Sequence, residues 1–286
     1  MRFGRVVVGA VVLALGMGPS RSARGVDDSE PAEGWITLEP GLEYGVFSSP
    51  TRSDSGDSKI RILRIDPGRF ELRLMNASAS EHGLALTPRD WATRNGLVAA
   101  INASMFQVDR RTSVSLMKSK AHTNSPWLSK DKAVLAFDRL DDSVPPVQII
   151  DRQLQDFDTL KDKYETLVQS IRMVSLDGRN VWAPREQRWS TAAIGIDRRG
   201  RVLFIHVRSP YTTHELIDVL LQLPIDLRNA MYVEGGPQAQ MYVHAGEREY
   251  ELVGRIDTAF LDSDDTSPAW PVPNVIGVAR SAPKSD

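Results

Sequence analysis

The 286-residue chain contains no cysteine. Disulfides, thiolate metal sites and cysteine nucleophiles are excluded at once. Neither sign of charge is in excess: 35 Lys and Arg face 37 Asp and Glu, for a formal net charge of −2. There is no general basic field for nucleic acid and no acidic tail. No apolar run approaches the roughly 20 residues that cross a bilayer. The five histidines, His82, His122, His206, His214 and His244, fall in no H-x-H or H-E-x-x-H spacing. No G-x-S-x-G elbow, Walker loop or internal repeat is present. Neither a metal site nor a cofactor is therefore expected.

What is present begins at the N-terminus. Arg2 and Arg5 precede the apolar run Val6 to Leu15, and Gly16-Met17-Gly18-Pro19 and Ser20-Arg21-Ser22 follow. A positive start, a short apolar stretch and small residues at a cleavage point read as a secretory signal peptide over residues 1–22, with an uncleaved anchor as the alternative. The chain is then expected to be exported, periplasmic or extracellular, with no integral membrane association after cleavage. Residues 23–34 read as a flexible leader, 35–281 as one domain and 282–286 as a tail.

Within 35–281 the strand signals outnumber the helix signals. Trp35 to Leu38, Leu42 to Phe47, Lys59 to Ile65 and Arg69 to Met75 read as strands, the last with Phe70, Leu72 and Leu74 alternating with polar residues. Asp66-Pro67-Gly68 reads as a turn in which Pro sets φ and Gly takes a positive φ. Thr87 caps a helix whose first residue is Pro88, and Asn95-Gly96 ends it, with Trp91 and Ala92 toward the core. Leu97 to Ile101, Lys132 to Phe137, Val147 to Ile150 and Asn274 to Ala279 are further strands. Gln153 to Leu167 fits helix and loop equally. Ile171 to Leu176 with Asp177-Gly178, and Thr191 to Ile196 with Arg201 to Val207, read as hairpins. Thr212-Thr213-His214-Glu215 is a capping box, and Ile217, Leu220 and Leu221 form the apolar stripe of its helix. The expected fold class is α+β: one domain with a largely antiparallel or mixed sheet core and a few packed helices.

Two strand ends carry polar groups in unusual places. Asn102 closes the apolar run that ends at Ile101. Glu234-Gly235-Gly236-Pro237 follows Met231-Tyr232-Val233 and precedes a second apolar run, Met241-Tyr242-Val243. An amide or a Gly-Gly pair in such a place forms a turn or binds a ligand. Glycines let backbone N–H groups approach an anion, and an acid there can serve a leaving group or a sugar hydroxyl.

Four blocks in order then resemble the phosphodiester glycosidase family, which cleaves a sugar from a phosphodiester. Ala99-Ala100-Ile101-Asn102-Ala103-Ser104-Met105-Phe106 is similar to its strand ending in Asn-Ala/Gly-Gly-Met/Phe-Phe/Tyr. Gln169-Ser170-Ile171-Arg172-Met173-Val174 with Asp177-Gly178 is similar to its Gln-Ser-Gly-Pro-Met-Leu block and Asp-Gly turn. Ala192-Ala193-Ile194-Gly195-Ile196-Asp197 with Gly200-Arg201-Val202 resembles its Arg-Thr/Asn-Ala-Ile-Gly hairpin. Asn229 to Gly246 resembles its Leu-Asp-Gly-Gly-Gly/Ile-Ser-Ser stretch. The resemblance covers roughly residues 40–280. It also shows departures: the family aspartate is Glu234, its serines are Gln238 and Ala239, its arginine falls near Thr191, and Gly-Pro is Ile171-Arg172.

The resemblance implies an exported hydrolase acting on a sugar-1-phosphodiester or a related extracellular glycan bond, with bacterial relatives linked to exopolysaccharide. It implies Glu234 and Asn102 as catalytic. It implies Arg172, Gln169, Ser170, Thr191, Gly235, Gly236 and Gln238 as substrate-binding, with Arg172 or Arg188 facing the phosphate. The expected partner is a carbohydrate or sugar phosphate, and no nucleic acid. The same departures fit an alternative, a catalytically altered glycan-binding protein in which Trp127, Trp182 or Trp189 stacks on sugars or fills the core.

Overall fold

The computed structural model describes residues 29–255 and 268–282. The expected signal peptide, the first part of the leader and most of the tail lie outside the described residues. In chain order the first strands are β1 (Gly34–Glu39), β2 (Leu42–Ser48), β3 (Lys59–Ile65) and β4 (Phe70–Asn76), then helix α1 (Pro88–Asn95). β5 (Ala99–Asn102), β6 (Met117–Lys118), β7 (Thr123–Ser125), β8 (Ala133–Arg139) and β9 (Gln148–Asp151) precede the short α2 (Phe157–Leu160). β10 (Tyr164–Ser170), β11 (Arg172–Val174), β12 (Trp189–Asp197) and β13 (Val202–Tyr211) lead to α3 (Thr213–Gln222). β14 (Leu227–Gly235), β15 (Gln240–Ala245), β16 (Arg248–Val253) and β17 (Asn274–Arg280) complete the set.

The strands form three sheets, in the orders β1-β2-β3-β13-β12-β14-β11, β7-β6-β10-β8-β9 and β16-β15-β5-β17-β4. Every ladder among the described residues is antiparallel, which is the antiparallel form of the expected core, and the strands divide into three sheets. With few helices, the architecture is mostly β.

Alternation along the strands explains how three sheets share one interior. In β8, Ala133, Leu135 and Phe137 enter a core common to all three sheets, while Val134 and Ala136 turn outward against Phe157 of α2. In β12 and β13, Ala192, Ile194 and Phe204 face the common core, and Ala193, Leu203 and Ile205 pack on Leu216, Ile217 and Leu220 of α3. In β5, Ala99 and Ile101 face inward and Ala100 packs under Trp91 and Ala92 of α1. Each sheet therefore has one face in the shared core and one face under its own helix, the period-2 pattern of a strand buried on both sides.

The local signals act as the chain's punctuation. The Thr87 side chain accepts from Asp90 N–H, and Gly96 takes the left-handed conformation that ends α1. The Thr212–Glu215 capping box opens α3 and contributes about 1 kcal/mol. Four expectations are corrected. The end of the leader is not loose: Glu30 bonds the buried Arg61, whose Nη2 donates at 2.7 Å. Gln153 to Leu167 resolves into α2 and the start of β10. Leu221 is 36% exposed, and Leu216 and Val219 take its place in the stripe. Gly68 does not adopt a positive φ, since the Asp66 carboxylate accepting Gly68 N–H at 2.8 Å already closes that turn.

Candidate active site at the β14–β15 corner

β14 and β15 are not a hairpin. β14 lies between β12 and β11 in the first sheet, and β15 lies between β5 and β16 in the third. Glu234 to Ala239 therefore carries the chain from one sheet to another, as one 3₁₀ turn over Gly236–Gln238. The register shows how the acid is aimed. Ala193 pairs with Tyr232 but Ala192 pairs with Glu234, so two residues of β14 oppose one of β12. That bulge falls immediately before Glu234, in keeping with the role of bulges in re-aiming a side chain.

Ala192 also pairs with His206 on β13, and His206 pairs with Arg61 on β3. Arg61, His206, Ala192 and Glu234 thus form one row across four strands. Paired residues of neighbouring strands share a face. Ala192 lies in the common core, so the row borders that core.

Glu234 is 9% exposed. Its one side-chain bond among the described residues is to its neighbour, with Gly235 N–H donating at 3.0 Å. Burial raises its pKa to about 7, and the Gly235 N–H opposes that only in part. No guanidinium or ammonium group among the described residues offsets the burial. The carboxyl therefore holds its proton near neutrality, as a general acid must.

The corner is built by residues distant in sequence. His206 Nε2 lies 3.1 Å from Ala239 O, and a carbonyl has no proton to give, so Nε2–H donates. Burial pushes the His206 pKa down to about 3, and the ring is neutral. Ala239 O also accepts Gly254 N–H at 2.8 Å, and Ala239 N–H donates to Gly236 O at 3.0 Å. Gly254 presses so closely on the turn that an added Cβ would lie 1.9 Å from Gly236 O. Gly236 itself takes φ +61°, in the left-handed region. Asn102 Oδ1 accepts Gln240 N–H at 2.8 Å, fixing the exit of the turn.

The four sequence blocks meet here. Thr191 pairs across the ladder with Gly235. Ser170 Oγ donates to Tyr232 O at 2.5 Å, and Ser104 Oγ to Gln169 O at 3.1 Å. Gln238 sits partly exposed on the turn.

Two expected substrate binders have other work. The Gln169 amide is saturated: it accepts Leu116 N–H at 3.3 Å and Ser129 N–H at 3.0 Å, and donates to Ser129 O at 3.1 Å and Asp131 O at 2.7 Å. Arg172 is bound to the buried Asp151 at 2.6 Å and to Gln153 at 2.8 Å. Both are scaffold, and so is Ser170, whose hydroxyl holds β14. Arg188 is likewise held by Glu215 at 2.8 Å. Among the described residues no group of three or more His, Asp or Glu is arranged to hold a metal ion. Sequence reasoning missed His206, Tyr232 and Gly254. No spacing marks them: His206 and Gly254 reach the corner only through strand pairing and the return of the chain after β16, and Tyr232 lies inside an apolar run two residues before Glu234.

A buried, proton-holding carboxyl on a glycine corner, beside tryptophan and tyrosine, is the candidate site of this antiparallel three-sheet fold. Residues 95–279 match the sequence model of the family described as phosphodiester glycosidase, and the chain belongs to that family. No functionally curated protein matches the sequence. Among solved structures the chain is similar to the zebrafish N-acetylglucosamine-1-phosphodiester alpha-N-acetylglucosaminidase catalytic domain, auto-inhibited by its pro-peptide. The TM-score is 0.63 at 14% identity, covering 94% of this chain and 96% of that one. It is also similar to a hypothetical protein from Synechocystis, with TM-score 0.55 and 14% identity over 87% of this chain and 64% of that one. At such identity the likeness is one of fold.

Proposed function

We propose that the protein is an exported hydrolase that cleaves a glycosyl bond, in a sugar-1-phosphodiester or a related extracellular glycan. The observation that carries this reading is Glu234, a buried carboxyl with a pKa of about 7 at the corner where the family blocks meet. In the proposed step the Glu234 carboxyl gives its proton to the departing oxygen as the bond to the sugar carbon breaks. The carboxylate left behind can then take a proton from the incoming water. Asn102 holds Gln240 and so fixes the turn from which the acid acts. Family membership supports the reaction class, and the N-terminal Arg2 to Ser22 pattern supports export. No helix among the described residues is long and apolar enough to cross a membrane. We treat 35–281 as the acting domain.

One observation favours a second reading, a glycan-binding protein with altered catalysis. Thr191 stands near the position of the family arginine, and its buried hydroxyl has no partner among the described residues. The test is turnover of N-acetylglucosamine-1-phosphodiesters and aryl phosphodiester sugars by the purified protein and by Glu234→Gln. The proposal expects activity that declines as pH rises through about 7 and is lost in the variant. Activity untouched by Glu234→Gln removes the role given to this acid. Glycan binding without turnover establishes the second reading.

A further inference from the structure

Glu234 faces one side of the first sheet, and a second set of polar atoms gathers on the other side of the same corner. A Cβ on Gly235 would lie 2.1 Å from the Tyr232 hydroxyl and 3.2 Å from Trp189 Nε1. Thr191 is directly opposite Gly235 in the ladder. The Thr191 hydroxyl is buried and lacks a hydrogen-bond partner among the described residues, while the buried Trp189 indole N–H is turned to the Tyr232 hydroxyl. Thr191 as a residue is only 1% exposed. Buried donors and acceptors are nearly always satisfied, so a hydroxyl left open opposite this glycine calls for a reason.

The aromatic surroundings supply it. The Trp182 ring lies 5.5 Å from the Tyr232 ring, tilted by 46°. The backbone of Trp182 is fixed from both ends. Its N–H donates to Asn180 Oδ1 at 3.1 Å, and its carbonyl is 2.5 Å from His214 Nδ1. Trp182 and Trp189 are half-buried, and residues 183–187 between them are exposed. Rigid half-exposed aromatic faces beside an unsatisfied hydroxyl suit a ligand with apolar C–H faces and a hydroxyl rim, as a pyranose has. Glu234 and Tyr232 are close enough that the carboxylate raises the Tyr232 pKa further above the level set by burial.

We propose that Trp182, Trp189, Tyr232 and Thr191 form a saccharide subsite adjoining the Glu234 corner. It takes a neighbouring sugar ring of an oligosaccharide, so the substrate is an extended glycan and not a small diester. This rests on the hydrolase reading only for where the scissile bond lies, since binding can be measured without turnover.

The test is calorimetric titration of full-length Glu234→Gln with trimers of N-acetylglucosamine, glucose, galactose and mannose, each beside its monosaccharide. At least one trimer is expected to bind tenfold or more tighter than its monosaccharide. Adding Thr191→Val or Trp182→Phe should remove at least fivefold of that trimer's affinity and leave the monosaccharide's unchanged. Thr191→Val keeps shape and volume, so it preserves the fold if Trp182→Phe does not. Equal affinities for trimer and monosaccharide, no binding of any trimer, or trimer affinity indifferent to Thr191→Val would each overturn the subsite. Failure of the hydrolase reading would appear separately, as no turnover by the unmodified protein.

Discussion

Replacing Glu234 by Gln should change how the stability of this protein depends on pH. The native carboxyl titrates near 7 in place of an ordinary 4.5 because it is buried with no cation among the described residues to offset the charge. At about 1.4 kcal/mol per pH unit, that difference corresponds to about 3 kcal/mol between its two protonation states. The sign follows from proton counting. Between pH 4.5 and 7 the folded chain keeps a proton that the unfolded chain has released, so stability falls as pH rises through this window and levels off above it. Glutamine is close in shape and cannot ionise. The variant should therefore gain about 3 kcal/mol relative to the parent on going from pH 4.5 to pH 8. Urea unfolding of both proteins at the two pH values, followed by tryptophan fluorescence, measures it. His206 also titrates abnormally, but it is present in both chains and cancels. If the difference between variant and parent is the same at both pH values within about 0.5 kcal/mol, Glu234 titrates as an exposed acid. The reasoning from burial then fails.

Gly254→Ala would place a methyl group against the backbone of Gly236, which cannot swing aside. It should destabilise the fold by about 2–3 kcal/mol and reduce turnover in the same preparation, read by thermal unfolding and assay. Arg172→Met leaves the 1%-exposed Asp151 without its cation, and should cost about 3–5 kcal/mol in urea unfolding, with Asp151→Asn in the same chain recovering part. Weakened substrate binding with stability unchanged would return Arg172 to the site. The unfolded chain protonates His206 at its ordinary 6.5 while the buried ring resists to about 3, so stability should fall as pH drops below 6.5. His206→Gln should flatten that acid limb, visible in urea midpoints from pH 7 to pH 4.

Much of this architecture was readable along the chain because its signals are local. The Thr87–Pro88 start, the Thr212–Glu215 box and the alternation in Phe70 to Met75 each act within one helical turn or one strand. The short β6 and β7 and the charged β16 were not readable, because few of their side chains are buried and pairing alone defines them. Among site residues, Glu234 with its glycines stood out, as an acid and two small residues interrupting apolar runs. Gln169 and Arg172 misled because a polar side chain in a family block looks the same whether it faces a ligand or ties down a loop.

The sequence by itself determined the strands, the caps and the presence of an acid on a glycine corner, for these follow from side-chain periodicity and backbone preference. Tertiary structure alone decided that the corner joins two sheets, that His206 and Gly254 close on Ala239, and that no cation among the described residues reaches Glu234. Those features depend on residues brought together from distant parts of the chain. Burial without a cation among the described residues, which makes Glu234 an acid at neutral pH, is a property of the packed surroundings and not of the residue.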